Sequence, residues 1–162
     1  WADGAYGGGF WGAIEIAEMR GREMDVDKLV NADVTDAVIG SFYHVYNSLG
    51  VGFLEKVYEN ELADSVRKRG FDVQTQFPIK VRFEGVVVGV YFADLLVANC
   101  VIVEVKKADI TIDAHEAQLI NYLRATPIEV GLLLNFGPQP EFRRKIYLNE
   151  NKPHLRILHP PS

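Results

Sequence analysis

The stretch YFADLLVANCVIVEVK, residues 91–106, decides how the rest of the chain can be interpreted. It reads as two apolar strands of the kind found in a sheet that is covered on both faces. Three charged residues interrupt the apolar pattern: Asp94, Glu104 and Lys106. Because burying a charge is costly unless it is paired or bound to a metal, these residues indicate either a structural ion pair or a functional site.

Whether the three charges can meet depends on the connection between the two strands. If Val97 pairs with Val101, the three residues between them form the hairpin loop. Asp94 then lies opposite Glu104, and Lys106 shares the face of Glu104 because side chains alternate along a strand. A turn of only two residues, without a bulge, would send the two carboxylates to opposite faces.

Two carboxylates on neighbouring strands supply hard oxygen ligands. Mg²⁺ keeps several waters and commonly takes one or two carboxylates together with substrate phosphates. Held by Asp94 and Glu104, Mg²⁺ (or Mn²⁺) would polarise a phosphodiester and lower the pKa of an attacking water, and Lys106 would stabilise the developing charge. From these residues alone, a metal site and a structural ion pair are equally supported.

Length and composition favour one globular domain. The chain has 162 residues, of which 48% are hydrophobic, which is enough for a real core. We expect a single domain over residues 25–162, preceded by a Gly-rich extension or linker at residues 1–24. The single cysteine, Cys100, suits a reducing compartment. No apolar run reaches the ~18 residues of a membrane span, so we expect a cytoplasmic protein with no membrane partner.

The net charge of -5 argues at first against nucleic acid, whose binders usually carry a basic surface. The acidic excess, however, lies in residues 1–36, where eight Asp/Glu face three Lys/Arg, and residues 37–162 are neutral. Basic clusters occur at residues 67–69 and 143–145. Each cluster by itself is more often a solvated helix end or strand edge than a binding site. Charge therefore does not exclude a nucleic-acid partner.

Hydrophobic periodicity predicts the element order α, α, β, β, β, α, β, β. This order describes an α/β (mixed α+β) fold in which a central mixed sheet is flanked by helices. The predicted helices span residues 33–49, 52–69 and 114–125, with Asp33 and Asp113 as N-caps of the first and third. Strands are predicted from 72 to 106, with turns at Glu84 and Gly85 and at 98–100, and then at 130–136 and 142–148. Because the third helix joins two strands, those strands are expected to be parallel.

Several blocks of the sequence resemble one family. The order Asp94, nine residues, Glu104, Val105 and Lys106 resembles the signature of the PD-(D/E)XK nuclease superfamily. GFLEKVY at residues 52–58 matches the motif that names the bacterial GxxExxY protein family, a branch of that superfamily. The blocks SLGVGFLEKVYENEL, VYFADLLVANCVIVEVK, HEAQLINYL and VGLLLNFG also look like this family. The resemblance covers about residues 25–148 and implies a restriction-endonuclease-like core.

The resemblance also implies roles for individual residues. It implies that Asp94 and Glu104, on the strands, and Glu55, on a helix, are metal ligands. It also implies that Lys106 is the catalytic lysine and that Gln118 and Tyr122 form a Gln-x-x-x-Tyr pair. The last two lie on one helix face, where an amide and a phenol would contact substrate or orient the metal ligands. Without the resemblance, that pair would more often be a surface amide and a half-buried aromatic.

The resulting expectation is a Mg²⁺-dependent nuclease that hydrolyses phosphodiester bonds of nucleic acid, with DNA as the favoured substrate. The alternative is a non-catalytic module that binds nucleic acid or protein on a nuclease-like fold, because function resides in sites and not in folds. The short chain has no obvious DNA-reading element, so a homodimer or a protein partner would supply specificity.

Overall fold

A computed structural model describes residues 30–153 of the chain. Within that range, three α-helices flank one five-stranded sheet of order β1-β2-β3-β4-β5. The helices are α1 (Ala32–Leu49), α2 (Glu55–Lys68) and α3 (Asp113–Ala125), and the strands are β1 (Val73–Phe83), β2 (Val86–Val97), β3 (Val101–Lys106), β4 (Val130–Phe136) and β5 (Pro140–Ile146), followed by a 3₁₀ turn at Asn149–Asn151. The predicted order and the mixed sheet are confirmed. The predicted extension at residues 1–24 lies outside the described residues.

The pairing of the strands is antiparallel except at the centre of the sheet. β3 and β4 run parallel, and α3 joins them, as predicted for two strands separated by a helix. The loop between β2 and β3 consists of the three residues 98–100, in which Ala98 and Asn99 are left-handed, with φ of 49° and 56°. β5 is an edge strand and confirms the strand predicted at 142–148, although it begins at Pro140 and ends at Ile146.

Two hydrophobic cores lie on opposite faces of the sheet. On one face, α1 and α2 pack against residues such as Val103 and Val105 of β3. On the other face, α3 packs Leu119 and Leu123 against Ile102 and other residues of the sheet. The alternation of β3 between the two cores follows from the strand period of two. The central strands are therefore covered on both faces, as their near-continuous apolar sequences predict.

The predicted N-caps of two helices are wrong by one or two positions. Asn31, in a left-handed conformation, occupies the N-cap of α1, and Asp33 lies inside the first turn. Ile112 precedes α3, and Asp113 is its first helical residue. Both aspartates remain in the first turn, where the positive end of the helix dipole favours a carboxylate. The two aspartates therefore do mark the starts of these helices, but through their charge and not as side-chain caps.

β1 and β2 bend together at Gln76 and Asp94, where the pairing is interrupted between Thr75–Leu95 and Phe77–Ala93. Ala93 packs into the core beneath α3, whereas Leu95 packs into the core beneath α1 and α2. Two such residues would share a face in a regular strand. Gln76 has a φ of 51°, which is uncommon for a residue other than glycine. Asp94 therefore lies between Leu95 and Ala93, at the point where the side chains of β2 switch from one hydrophobic core to the other.

Beyond the bend, residues 77–92 form a long hairpin that we call the arm. Its turn is made of Glu84 and Gly85, as predicted, and both have positive φ, the pattern of the tight turns that match strand twist. The arm carries several large apolar side chains in contact with solvent: Phe83, Val86, Val87, Val88, Val90, Tyr91 and Phe92. Exposed apolar groups at this density are typical of surfaces through which proteins interact.

The close approach of α3 to β4 predicts a sharp effect of one substitution. A Cβ at Gly131 would lie 2.6 Å from Leu119 Cδ1, so we predict that Gly131→Ala lowers the free energy of unfolding by about 1–3 kcal/mol. Gly89→Ala is the matched control, because a Cβ there meets only Tyr91 at 3.5 Å and should cost less than about 0.5 kcal/mol. Urea unfolding measures both, and equal losses would contradict the packing described.

Candidate functional site

Asp94 and Glu104 face each other across β2 and β3. Val97 pairs with Val101, which confirms the predicted three-residue loop and sets the register that brings the carboxylates together. The Asp94 N–H donates to Glu104 Oε1 at 3.1 Å, and the Val105 N–H donates to Asp94 Oδ2 at 2.7 Å. Each carboxylate is therefore anchored by a backbone N–H of the opposite strand, which orients both side chains.

Burial gives this pair an unusual affinity for protons. Glu104 is 3% exposed, and its pKa rises from the ordinary 4.5 to about 8, first because of burial and then because of the charge on Asp94. Burial also raises the pKa of Asp94. Lys106 Nζ lies 3.9 Å from Glu104 Oε2, and its charge opposes both shifts without cancelling them. The pair therefore retains a proton near neutral pH in the absence of another cation.

Glu55 reaches the same region from the start of α2. Its Oε2 accepts the Lys107 N–H at 3.2 Å, and Lys107 Nζ donates to the Gly52 carbonyl at 3.4 Å. α2 begins at Glu55 and not at Gly52 as predicted, because Gly52 has a φ of 108° and lies outside the helix. These bonds attach the start of α2 to the residue that follows β3.

The three predicted metal ligands are not assembled into one cluster. The charge of Glu55 raises the pKa of both Asp94 and Glu104, so the three carboxylates interact. Within residues 30–153, however, no group of three His, Cys, Asp or Glu side chains is positioned to hold a metal ion. The structure brings two carboxylates together and leaves the third beside them.

Tyr58, in the segment that resembles GxxExxY, organises the loop before α2. It is fully buried, and its ring stacks on Phe136 with centroids 4.5 Å apart. Its hydroxyl donates to the Gly50 carbonyl at 2.6 Å and accepts the Phe53 N–H at 3.3 Å. Because these bonds hold the loop at both ends, Tyr58 positions Glu55 at the start of the helix.

Gln118 and Tyr122 meet on one face of α3, as their spacing predicts. Gln118 Nε2 donates to Tyr122 Oη at 3.0 Å. Burial raises the pKa of Tyr122, and the charges on Glu104 and Asp94 raise it further. The phenol is therefore close enough to the carboxylate pair to interact with it and stays protonated.

Sequence reasoning missed two residues beside Asp94. Glu59 is buried, and its Oε1 accepts hydrogen bonds from Lys56 Nζ at 2.7 Å and from Gln76 Nε2 at 2.9 Å. Its charge raises the pKa of Asp94. The signal was present, since Glu59 lies four residues after Glu55 on the same helix face. Gln76 offered no comparable signal, because its position depends on the bend.

Asn135 is a further residue that sequence reasoning missed. It lies in the fully buried strand β4, opposite Lys106 in the parallel pairing. Its side chain accepts the Ala108 N–H and donates to the Ala108 carbonyl, both at 2.9 Å. These two bonds hold the chain where it leaves β3. An asparagine within VGLLLNF was the available signal, because a buried amide needs partners.

The basic clusters are engaged within the protein. Arg143 and Lys145 of β5 both pair with Glu116 of α3, and Arg144 is buried. In the other cluster, Arg67 donates to a backbone carbonyl. This arrangement favours the structural interpretation, above all for Arg143 and Lys145, which form ion pairs within the protein.

Comparison with protein families finds that residues 32–145 match the model of the PD-(D/E)XK nuclease superfamily. The matched range contains all six predicted site residues. Among solved structures, the crystal structure of SSO0001 matches at 20% identity with a TM-score of 0.44, over 80% of this chain and 76% of that one. No curated protein matches the sequence. Within residues 30–153, no helix is long and apolar enough to cross a membrane.

Glu104 should make the stability of the metal-free protein depend on pH. Since its pKa is about 8 when folded and ordinarily 4.5, the folded state binds this proton more tightly than the unfolded state. Its stabilising contribution is complete below about pH 4.5 and is lost as pH rises to about 8, by at most ~1.4 kcal/mol per pH unit. We predict that the free energy of unfolding falls across this window.

Glu104→Gln isolates this effect, because glutamine keeps an acceptor oxygen for the Asp94 N–H and does not titrate. Urea unfolding of both proteins in EDTA, from about pH 5 to 8, should give a shallower decline for the variant. Parallel declines would show that Glu104 is not the group responsible.

Proposed function

The chain belongs to the PD-(D/E)XK nuclease superfamily, and we propose that it is a divalent-metal-dependent nuclease that hydrolyses phosphodiester bonds of nucleic acid, with DNA as the favoured substrate. We further propose that it represents the GxxExxY branch. The observation that carries the proposal is the backbone-anchored pair of the half-buried Asp94 and the buried Glu104, with Lys106 on the same face. Three charges would not be kept in an apolar sheet without compensation.

The chemistry of the donor set fits Mg²⁺ or Mn²⁺. Each anchoring bond uses one carboxylate oxygen, which leaves Asp94 Oδ1 and Glu104 Oε2 to bind a cation in place of the retained proton. Two carboxylates with additional waters suffice for Mg²⁺. Glu55, whose Oε2 accepts the Lys107 N–H, would hold the ion through its other oxygen or through a water. When bound, the ion would polarise the phosphodiester and lower the pKa of the attacking water.

The remaining residues would act directly on the substrate. Lys106, whose ammonium is partly exposed beside Glu104, would position the water or stabilise charge that develops on the phosphate. Tyr122 accepts its hydrogen bond from Gln118, so its own O–H can donate to a phosphate oxygen. Gln118 is then a positioning residue that holds the phenol in place.

A second candidate function is a nuclease-like module that binds nucleic acid or protein without turnover. The absence of a three-member acidic group within residues 30–153 favours it, since the carboxylate pair is already satisfied by backbone N–H groups and a proton. Such a module would bind nucleic acid without metal and with strong salt dependence. The internal pairing of Arg143 and Lys145 counts against its expected binding surface.

We also propose that specificity comes from a second copy of the chain or from a protein partner. The exposed apolar side chains around the turn of the arm, Phe83, Val86, Val87 and Val88, are of the kind that mark interaction surfaces. The single cysteine, Cys100, which is free, supports the expected cytoplasmic location.

The proposal predicts metal-dependent cleavage that needs Asp94 and Lys106. Wild type should cleave at least one of single- and double-stranded DNA and RNA in Mg²⁺ or Mn²⁺ and none in EDTA. Asp94→Asn and Lys106→Ala should each lower the rate at least ~100-fold, since each removes charge stabilisation in the transition state. Asp72→Asn, the same change at an exposed position, is the control and should cleave normally.

Calorimetry with Mn²⁺ separates the two candidate functions. Binding that Asp94→Asn abolishes and Asp72→Asn retains supports the nuclease. Nucleic-acid binding without any metal requirement or turnover supports the binding module. In the cleavage assay, equal rates for wild type, Asp94→Asn, Lys106→Ala and Asp72→Asn would reveal a contaminating nuclease and remove the basis for the proposed activity.

A further inference from the structure

Tyr91 of the arm extends the site beyond the residues that the motifs identify. Its ring lies 6.0 Å from that of Tyr122, centroid to centroid, at an interplanar angle of 42°. Tyr122 in turn interacts electrostatically with both carboxylates and with Tyr91. Tyr91 nevertheless remains 52% exposed. A large aromatic ring therefore faces solvent directly beside the groups proposed to act on a phosphodiester.

The register of the arm decides which of its aromatic residues lies beside the site. Tyr91 pairs with Ile79, which is fully buried in the core beneath α3, so Tyr91 is on that face as well. Phe92, which pairs with Pro78, points to the opposite face and is 54% exposed. Two neighbouring aromatic residues thus have nearly the same exposure, and only one of them lies beside Tyr122.

The surroundings of Tyr91 leave its ring accessible. Gly89 precedes it by two residues on the same face, and even an added Cβ at Gly89 would lie 3.5 Å from Tyr91 Cε2. A larger side chain at that position would cover the ring. The Tyr91 ring thus has Tyr122 as a neighbour on one side. On the side toward Gly89, no side chain covers it.

We propose that Tyr91, supported by Tyr122, stacks on a nucleobase next to the scissile phosphate, so that the substrate is nucleic acid with an unpaired nucleotide at that position. In a duplex, both faces of a base are occupied by its neighbours, and an aromatic side chain can stack only on a base that is unpaired or turned out. Stacking contributes about 1–3 kcal/mol per base and tolerates any sequence. The inference rests on the proposed nuclease function and specifies the substrate class.

The test compares Tyr91→Ala and Tyr91→Phe with Phe92→Ala, the matched control on the other face of the arm. Cleavage in Mg²⁺ is measured on a single-stranded oligonucleotide and on versions of it with one abasic position moved past the cleavage site. Tyr91→Ala should raise KM about 5- to 150-fold, the equivalent of the stacking energy. Tyr91→Phe, which keeps the ring, and Phe92→Ala should stay within about twofold of wild type.

The abasic series distinguishes stacking from a structural role. In wild type, an abasic site at one position should raise KM as much as Tyr91→Ala does. Combining that abasic site with Tyr91→Ala should raise KM no further, as expected for two groups that contact each other. Additive losses would overturn the proposal, because Tyr91 would then act only by supporting Tyr122. Equal losses in Tyr91→Ala and Phe92→Ala would also overturn it and indicate a general apolar docking surface. Cleavage of a fully paired duplex at the same rate as the single strand would also overturn the proposal.

Binding of the same oligonucleotides, measured by fluorescence anisotropy with Ca²⁺ in place of Mg²⁺, separates this inference from the proposed function. Loss of affinity in Tyr91→Ala that depends on the base would support stacking even if wild type does not cleave. Metal-dependent cleavage with unchanged affinity in Tyr91→Ala would refute stacking and leave the nuclease proposal intact.

Discussion

The burial of two carboxylates opposite each other is the constraint on which the site depends. Like charges in a low-dielectric environment cannot both remain ionised without compensation. Asp94 and Glu104 receive three kinds of compensation: a backbone N–H from the opposite strand, the nearby ammonium of Lys106, and a retained proton. A divalent cation would replace the last of these. The same feature therefore explains both why the metal-free pair is tolerated and why it would bind a metal.

The surrounding elements hold this pair in place through backbone contacts and not through side-chain charges alone. Glu55 binds the N–H of Lys107, Asn135 binds both polar groups of Ala108, and Tyr58 fixes the loop before α2. The bonds of Glu55 and Asn135 reach the chain as it leaves β3, and those of Tyr58 hold the loop that precedes Glu55. Together they restrict where the end of β3 and the start of α2 can lie.

The bend in β1 and β2 divides the hairpin into two functional parts. On one side of Asp94, β2 is buried between the helical layers, and on the other side both strands continue as the arm. Gln76, at the bend with Asp94, donates to Glu59, so α2 contributes directly to the bend. The arm then carries Tyr91 to α3, where it meets Tyr122. The distortion at Asp94 thus turns the adjoining part of the same hairpin toward α3.

The contacts of some site residues could be predicted from the sequence, and those of others could not. The facing of Asp94 and Glu104 follows from the alternation of side chains and a three-residue loop, and the contact between Gln118 and Tyr122 follows from helical spacing. These are local regularities of backbone geometry. The roles of Gln76, Glu59 and Asn135 depend on partners that are distant in the chain.

The sequence by itself determined the element order, the mixed sheet and the register that joins the two carboxylates, because these follow from short-range periodicity and loop length. Only the tertiary structure decided that Glu55 binds the backbone beside the pair and does not complete a three-acid cluster. It also decided that Glu116 pairs with both Arg143 and Lys145. Helix packing and strand bending set such distances, and both result from how complete layers fit together.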